Sequence, residues 1–213
     1  DTFTYQANDG IANSDRIATV TLNVTIPANN PPVAISDNFN LNEDPANPFT
    51  GNVLLNDTDQ EDGRPQTVQL SNVVPNHGLL TLNADGSFTY QPNANYNGLD
   101  TFSYIARDSQ GANSTPATVT LTINPVNDAP SFTRGANQTA TVTTGAQTVT
   151  NWASNISAGP ADEAGQSLSF QVSVNNPTLF SVGPAIDPSG TLTYTPATTA
   201  SGTATVTVSL RDS

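Results

Sequence analysis

A cluster of acidic residues follows a short apolar segment in the sequence VLLNDTDQEDG at residues 53–63. Its carboxylates belong to Asp57, Asp59, Glu61 and Asp62. Carboxylates this close together repel one another unless water, a cation or a basic partner separates them. The spacing is therefore compatible with three structures: a solvated loop, a metal site or an acidic interaction surface.

The oxygen donors of this segment suit Ca²⁺, which takes about six to eight ligands from carboxylates, amides and backbone carbonyls. The chain has no cysteine and one histidine, so thiolate sites are excluded. An EF-hand is excluded too, because from Asp57 the glycine comes one place late, at Gly63, and Val68 replaces the bidentate glutamate. The competing interpretation is a solvated loop whose acids pair with arginines such as Arg64 and Arg107.

The overall charge limits the classes of partner. The 213 residues carry a formal net charge of −13, with 18 acidic residues against five basic ones, all of them arginine. Such a surface repels phosphate backbones and anionic lipid headgroups. No apolar run approaches the roughly 20 residues that span a bilayer. We therefore expect no nucleic-acid partner and no direct membrane insertion.

Internal repeats divide the chain into units. The recurring segments are DTFTY at 1–5 with DTFSY at 100–104, GSFTYQP at 86–92 with GTLTYTP at 190–196, and NNPPV at 29–33 with NDAPS at 127–131. Repeats at a fixed period indicate tandem copies of one structural unit. We predict that residues 1–28 form the C-terminal F–G hairpin of a preceding repeat, 29–126 a complete repeat, and 127–213 a divergent repeat that lacks its last strand.

Apolar residues alternate with polar ones inside each unit, as in Val119, Leu121 and Ile123. A period of two between Gly, Asn, Asp and Pro turns predicts antiparallel strands with one buried face. About seven strands in a unit of this size fit an all-β, immunoglobulin-like Greek-key β-sandwich with no helical domain. The predicted strands of the middle unit are A 33–41, B 49–55, C 67–74, D 79–83, E 87–90, F 99–107 and G 116–124, and the first unit supplies a G strand at 17–26.

This strand order brings distant acids and amides together, because successive loops of a sandwich alternate between its two ends. The incoming end of the middle unit is predicted to collect Asp57, Asp59, Asp108, Asn29 and Asn30, faced by Asp1. The outgoing end is predicted to collect Glu43, Asp44, Asp100, Asn127 and Asp128, faced by Asp162, Glu163 and Asp212 of the third unit. Both junctions between units are therefore candidate metal sites.

The segments NEDPANPFTGNVLLNDTD, HGLLTLNADGSFTYQPNANYNG, DTFSYIARDSQG and PVNDAP closely resemble the bacterial cadherin-like tandem repeats (the VCBS-type class) of large surface adhesins. The resemblance implies tandem cadherin-like sandwiches in an extracellular, secreted or cell-surface protein, with Ca²⁺ between them. By position, the ligand roles fall on Glu43, Asp100, Asn127, Asp128, Asp57 and Asp59. The first linker departs from the pattern, because Asn29–Asn30 lacks the acid, and Thr143–Thr144 replaces Glu43–Asp44 in the third unit.

The function expected from this resemblance is that of a non-catalytic extender or spacer in an adhesin or surface filament, made rigid by Ca²⁺ at the junctions. Expected partners are neighbouring repeats of the same chain, like chains in a filament or matrix, and polysaccharide. The alternatives are a carbohydrate-binding β-sandwich module and accessory repeats of a large secreted hydrolase. His77 lies in a predicted turn without a second histidine, which disfavours catalysis, and Trp152 is predicted on strand B of the third unit as a core residue.

The incomplete outer units allow two interpretations. In the first, the sequence is a window cut from a longer array, and Ser213 would be followed by a turn, an alternating strand and an Asn-Asp-x-Pro linker. In the second, the first hairpin of one chain completes the last unit of another by strand addition. Counting strands favours the first interpretation, because the hairpin would bring a duplicate F strand.

Overall fold

The structure is a computed structural model that describes residues 1–25 and 28–213. These residues fold as β-strands joined by turns, with two short 3₁₀ turns at Ala161–Glu163 and Pro177–Leu179 and no α-helix in the described part of the chain. No described segment is a helix with the length and apolarity of a membrane span. The all-β prediction is confirmed.

The first strands form an isolated hairpin. Strand β1 (Thr2–Tyr5) pairs antiparallel with β2 (Ala18–Thr21), with Phe3 opposite Val20. Its apolar side chains remain open to solvent: Phe3 is 52% and Tyr5 55% exposed. The second strand is shorter than the predicted 17–26, and Ile26 of that prediction lies outside the described residues.

The next seven strands form a two-sheet sandwich. They are β3 (Asp37–Asn42), β4 (Phe49–Asn52), β5 (Thr67–Leu70), β6 (Gly78–Leu82), β7 (Ser87–Pro92), β8 (Gly98–Arg107) and β9 (Ala117–Asn124). One sheet has the order β3-β9-β8-β5 and the other β4-β7-β6. Strand β3 runs parallel to β9, with Asp37 opposite Val119 and Asn42 opposite Asn124, whereas β8 pairs antiparallel with both β5 and β9.

The apolar side chains of the predicted alternating pattern fill the core of this sandwich. Val119, Leu121 and Ile123 of β9 are buried, and their polar neighbours point outward. From β8, Phe102 and Tyr104 are fully buried. Phe88 stacks edge-on against Phe102 at 5.4 Å between ring centroids and so joins the two sheets.

The remaining strands form a second, looser sandwich: β10 (Ser131–Arg134), β11 (Gln147–Val149), β12 (Ala153–Ser157), β13 (Ser169–Val174), β14 (Phe180–Ile186), β15 (Leu192–Pro196) and β16 (Val206–Arg211). Its sheets are β11-β15-β14, β13-β16 and β10-β12. Ala153, Ile186, Leu192 and Tyr194 form the buried centre.

The prediction that Trp152 lies on a strand is wrong, although its ring does pack on the core. Trp152 lies in the turn between β11 and β12, where its ring packs on this core and its indole Nε1 donates to the carbonyl of Ala136 at 2.9 Å. The indole N–H of a half-buried tryptophan needs such a partner.

Candidate functional site

The linker after β9 is hydrogen-bonded to the buried carboxylate of Glu43. Glu43 is 3% exposed, and its Oε1 accepts the backbone N–H of Val126 at 2.8 Å. Its Oε2 accepts the side-chain amide of Asn97 at 3.4 Å. Glu43 therefore fixes the start of the linker against the outgoing end of the middle sandwich.

The same linker is hydrogen-bonded to a second buried carboxylate, that of Glu163 in the last sandwich. The backbone N–H of Asp128 donates to Glu163 Oε1 at 2.6 Å. Glu163 is 5% exposed, and its other oxygen, Oε2, is buried without a hydrogen-bond partner. Gly159 provides the space for this carboxylate, because a Cβ at that position would overlap Oε2. An ionised oxygen buried in this way is unfavourable unless a positive charge or a donor reaches it.

Asn95 bridges the two units by lying between Asp44 and Asp128. In the orientation that satisfies its hydrogen bonds, its amide nitrogen donates to Asp44 Oδ2 at 2.9 Å and to Asp128 Oδ2 at 3.3 Å. The backbone N–H of Asn95 also donates to Asp44 Oδ1 at 3.0 Å. Both Asp44 and Asn95 have left-handed backbones, with φ of 47° and 56°. Among residues other than glycine, Asn and Asp adopt this conformation most readily, so both turns can hold these polar side chains without a glycine.

Asn127 connects the linker to two further residues of the last sandwich. Its Nδ2 donates to Asp212 Oδ2 at 3.2 Å, and its Oδ1 accepts Nε2 of Gln166 at 2.8 Å. The predicted residues Glu43, Asn127, Asp128, Glu163 and Asp212 are thus connected through the linker.

Two residues predicted for this junction are placed differently. Asp162 is exposed on the 3₁₀ turn beside Glu163, with no hydrogen bond among the described residues. Asp100 is buried, but its carboxylate accepts the N–H groups of Asn76, His77 and Thr101 and the hydroxyl of Tyr90 at 2.7 to 3.0 Å. Burial raises the pKa of Asp100, and these donors outweigh it, so the pKa lies below its usual range. Asp100 fixes the turn before β6 and has little capacity left for a metal.

The incoming end of the middle sandwich repeats part of this arrangement. Asn29 Nδ2 donates to Asp108 Oδ2 at 2.8 Å, the counterpart of the bond from Asn127 to Asp212. Burial raises the pKa of Asp108, but the hydrogen bonds from Asn29 and from nearby backbone N–H groups lower it further, with a net fall. Asn30 Nδ2 donates to Glu61 Oε1 at 2.6 Å, which ties the first linker to the acidic loop.

Asp59 is the counterpart of Glu163 at this end. It is 6% exposed, and its Oδ1 accepts the N–H groups of Glu61 at 2.9 Å and Asp62 at 2.7 Å. Its Oδ2 is buried without a partner. The end loops of both junctions therefore each contain one buried carboxylate that has a free oxygen.

Asp57 and Asp1 do not join Asp59. Asp57 is 2% exposed and points into the sandwich, where Oδ1 accepts the Ile35 N–H at 2.8 Å and the Tyr104 hydroxyl at 2.9 Å. Burial raises the pKa of Asp57. Asp1 lies in the hairpin, where its backbone N-terminus donates to the carbonyl of Leu22, and no hydrogen bond links its side chain to the acidic loop in the described structure.

The donors at the junctions are mixed in chemistry. Among residues 1–25 and 28–213, no three side chains drawn from His, Cys, Asp and Glu lie together in an arrangement that could hold a metal ion. At the second junction the carboxylates alternate with the amides of Asn95 and Asn127. A set of oxygens from acids, amides and backbone suits a hard cation such as Ca²⁺ and does not suit a soft one.

Sequence reasoning missed Asn95, Asn97 and Gln166. All three are amides, whereas the predicted metal ligands are mainly carboxylates. The Asn-rich sequence PNANYNG at residues 92–98 was the available signal, because Asn tolerates the left-handed backbone that such a loop requires.

One family model matches the middle sandwich. Residues 29–125 match the family of the bacterial cadherin-like domain. Over 148 residues the chain is 30% identical to integrin beta-like protein A of Dictyostelium discoideum, a match that covers 61% of this chain and 7% of that protein. The chain thus spans only a small part of the length of that relative.

The matches among solved structures have low sequence identity to this chain. A mouse protocadherin-24 fragment, EC1-3, is 18% identical over 93% of this chain and 66% of its own length, with a TM-score of 0.48. An endo-fucoidan hydrolase of glycoside hydrolase family 107 is 14% identical over 99% of this chain and 33% of its own, with a TM-score of 0.36.

Proposed function

Since residues 29–125 match the bacterial cadherin-like domain, we propose that the protein is an extracellular adhesion-type repeat segment. Its role is mechanical, as a non-catalytic spacer whose junctions are stiffened by Ca²⁺. The observation that carries the proposal is Glu163, a buried carboxylate with one unpartnered oxygen beside the linker that joins two sandwiches.

The residues that would hold Ca²⁺ at the second junction come from both units and the linker. They are Glu43, Asp44, Asn95, Asp128 and Glu163. Bound Ca²⁺ supplies positive charge and accepts oxygen ligands, which these side chains provide. Asn95 can serve either state, because a rotated amide presents its oxygen where its nitrogen otherwise donates to Asp44 and Asp128.

The stiffening follows from where these donors are attached. Without a cation, Asp44 and Asp128 carry like charges, and the Asn95 side-chain amide lies between them. A cation between Asp44 and Asp128 would attract both carboxylates and offset their mutual repulsion. The free oxygen of Glu163 would then also have a positively charged partner. The middle sandwich, the linker and the last sandwich then share one site, so that bending the linker requires breaking ligand contacts.

The first junction is proposed as a second, smaller site. Asp59 contributes its free Oδ2, and the carboxylates of Asp108 and Glu61 accept the side-chain amides of Asn29 and Asn30 in the first linker. The described contacts there come from the linker and the middle sandwich. We therefore expect weaker Ca²⁺ binding at this end than at the second junction.

Two measurements on the chain test this proposal. Thermal unfolding with millimolar Ca²⁺ or with a chelator should show a higher melting temperature in Ca²⁺, because a ligand that binds only the folded state stabilises it. Small-angle X-ray scattering should show that the particle is longer in Ca²⁺ and that it samples a narrower range of shapes. Unchanged melting and scattering on chelation would contradict the proposal.

A further inference from the structure

Strand β6 is an edge strand of the middle sandwich, and its outer side is open. It pairs antiparallel with β7. Within residues 1–25 and 28–213, no other strand forms a ladder with it. The edge strand of the other sheet, β5, is partly closed by comparison, because the Val68 N–H donates to the carbonyl of Ala84 at 2.9 Å. An open edge of this kind can pair with a strand of another chain.

Every second residue of β6 directs its backbone groups to the open edge. His77 and Asn83, which flank the strand, each form a backbone hydrogen bond of 2.8 Å at the corresponding end of β7. Because bonding alternates along an antiparallel strand, the odd-numbered residues face β7 and the even-numbered ones face away from it. Gly78, Leu80 and Leu82 therefore present their N–H and carbonyl groups to a further strand.

This edge lacks the features that commonly prevent pairing between proteins. Edge strands are usually protected by lysine or other charges, by proline or by a bulge. Strand β6 reads GLLTL, residues 65–84 contain no Asp, Glu, Lys or Arg, and the register with β7 is continuous. Leu79 is 74% exposed, whereas Leu80 and Leu82 pack on the core and are half-buried. A paired strand would cover all three leucines.

The sequence of β6 is complementary to itself. We propose that β6 of one copy pairs antiparallel with β6 of a second copy, about a two-fold axis at Leu80. Leu80 then lies opposite Leu80 of the second copy and Gly78 opposite Leu82, and each of these pairs exchanges two hydrogen bonds. On the outer face Leu79 lies opposite Thr81 and diagonally across from Leu79 of the second copy, at about 7–8 Å, within reach of a long side chain.

The charge of the chain favours this contact over others between copies. At a net charge of −13, two copies repel wherever acids face acids. The first acid after β6 is Asp85, beyond Asn83, and at about 3.4 Å per residue the two copies of Asn83 lie about 20 Å apart. That distance exceeds the Debye length of roughly 8 Å at physiological salt. Asp100, near the start of β6, is buried and already bonded to four donors.

The proposed contact lies on the side of the middle sandwich and leaves its two ends to the linkers. Antiparallel pairing of β6 sets the incoming end of one middle sandwich beside the outgoing end of the other. Chains that arrive from opposite directions are then joined side by side. The inference goes beyond the spacer role, because it assigns a contact between chains, and it does not depend on Ca²⁺.

Cysteine cross-linking tests the register, because the chain contains no cysteine of its own. L79C chains are mixed with T81C chains under mild oxidation in a chelator. Leu79 and Thr81 form a pair without hydrogen bonds, whose Cα atoms at about 4.5 Å suit a disulfide. We expect at least tenfold more mixed dimer than from L79C with T50C, as measured by mass spectrometry. Thr50 is exposed on β4, at the opposite edge of the same sheet.

A charged substitution tests the interface without a cross-link. L79K should raise the Kd of the dimer at least tenfold in sedimentation experiments in chelator at about 0.15 M salt, because two lysines would then meet across the axis. The substitution also makes the net charge less negative, so that a general loss of repulsion would strengthen association instead. T50K carries the same change of charge away from β6 and should associate as the wild type does.

Three outcomes would overturn the inference. They are a wild-type chain that stays monomeric at millimolar concentration, an L79K chain that associates as the wild type does, and cross-linking of L79C with T81C no greater than with T50C. Each of these results is obtained in chelator. The responses of melting and scattering to Ca²⁺ that test the proposed function are therefore independent of them.

Discussion

Glu163 accepts the backbone N–H of Asp128 over 2.6 Å while its second oxygen stays buried and unpartnered. This contact connects the linker to the interior of the last sandwich. A carboxylate so placed has two roles, because one oxygen orients the chain and the other is free to bind a ligand.

E163Q should abolish most of the stabilisation by Ca²⁺, since an amide replaces the free carboxylate oxygen. At a Ca²⁺ concentration ten times the Kd, the loss corresponds to about 1.4 kcal/mol. The neighbouring D162N is the matched control, because Asp162 is exposed and makes no described hydrogen bond. Melting temperatures with Ca²⁺ and with chelator measure both variants, and an equal loss in both would contradict the assignment to Glu163.

N95L should remove the bridge between Asp44 and Asp128 and weaken Ca²⁺ binding at the second junction. Leucine can neither donate as the Asn95 nitrogen does nor offer an oxygen as the rotated amide would. The carboxylates of Asp44 and Asp128 then face each other with no polar group between them. Isothermal titration with Ca²⁺ should show a Kd raised at least tenfold. N93L, in the same loop but outside these contacts with the two carboxylates, is the control, and equal affinities would refute the role of Asn95.

G159A should also weaken the Ca²⁺ response without altering any ligand. A Cβ at residue 159 would overlap Glu163 Oε2, so the carboxylate must move. G165A is the control, because a Cβ there meets nothing within 4 Å. The readout is the difference in melting temperature between Ca²⁺ and chelator, and a full response in G159A would argue against the position assigned to Glu163.

In chelator, the middle sandwich should be more stable at pH 5 than at pH 7. Burial, followed by the charge of Asp57, raises the pKa of Asp37 to about 6 from an ordinary 3.8. The folded chain therefore binds a proton at Asp37 more tightly than the unfolded chain does. The stability that this proton contributes is fully present below pH 3.8 and is lost as the pH rises through 6. D37N should raise the melting temperature at pH 7 and flatten the dependence between pH 5 and 7. A wild-type protein that is equally stable at pH 5 and pH 7 would contradict this prediction.

Y104F should destabilise the middle sandwich by about 1–3 kcal/mol, because buried polar groups lose their donor. The Tyr104 hydroxyl lies 2.9 Å from both Asp57 Oδ1 and the carbonyl of Val53. Y96F is the control, since in the described part of the chain that hydroxyl donates to the Leu99 carbonyl alone, in a hydrogen bond open to solvent. Chemical denaturation of both variants gives the comparison, and losses of equal size would be inconsistent with a special role for Tyr104.

The sequence predicts the strands of the middle sandwich well because each buried face follows a period of two, as in β9. It predicts the junction residues less well. The prediction places Asp57 at one junction because it lies in the B–C loop and Asp100 at the other because it begins strand F, but position along the chain does not reveal which way a side chain turns. Asp57 turns toward Tyr104 and Asp100 toward Tyr90, since the hydroxyls of buried tyrosines require acceptors. Glu163 and Asp59 remain with a free oxygen, a property that depends on the packing of several segments.

The parallel pairing of β3 with β9 sets how the middle sandwich responds to tension. Its two linkers precede β3 and follow β9, so a pull along the chain drives these two strands in opposite directions along their length. Six residue pairs, from Asp37–Val119 to Asn42–Asn124, then resist at the same time. A hairpin pulled from its open end would instead lose its pairs one by one. The sandwich therefore meets an applied force in shear, and all six pairs must break together before the strands separate.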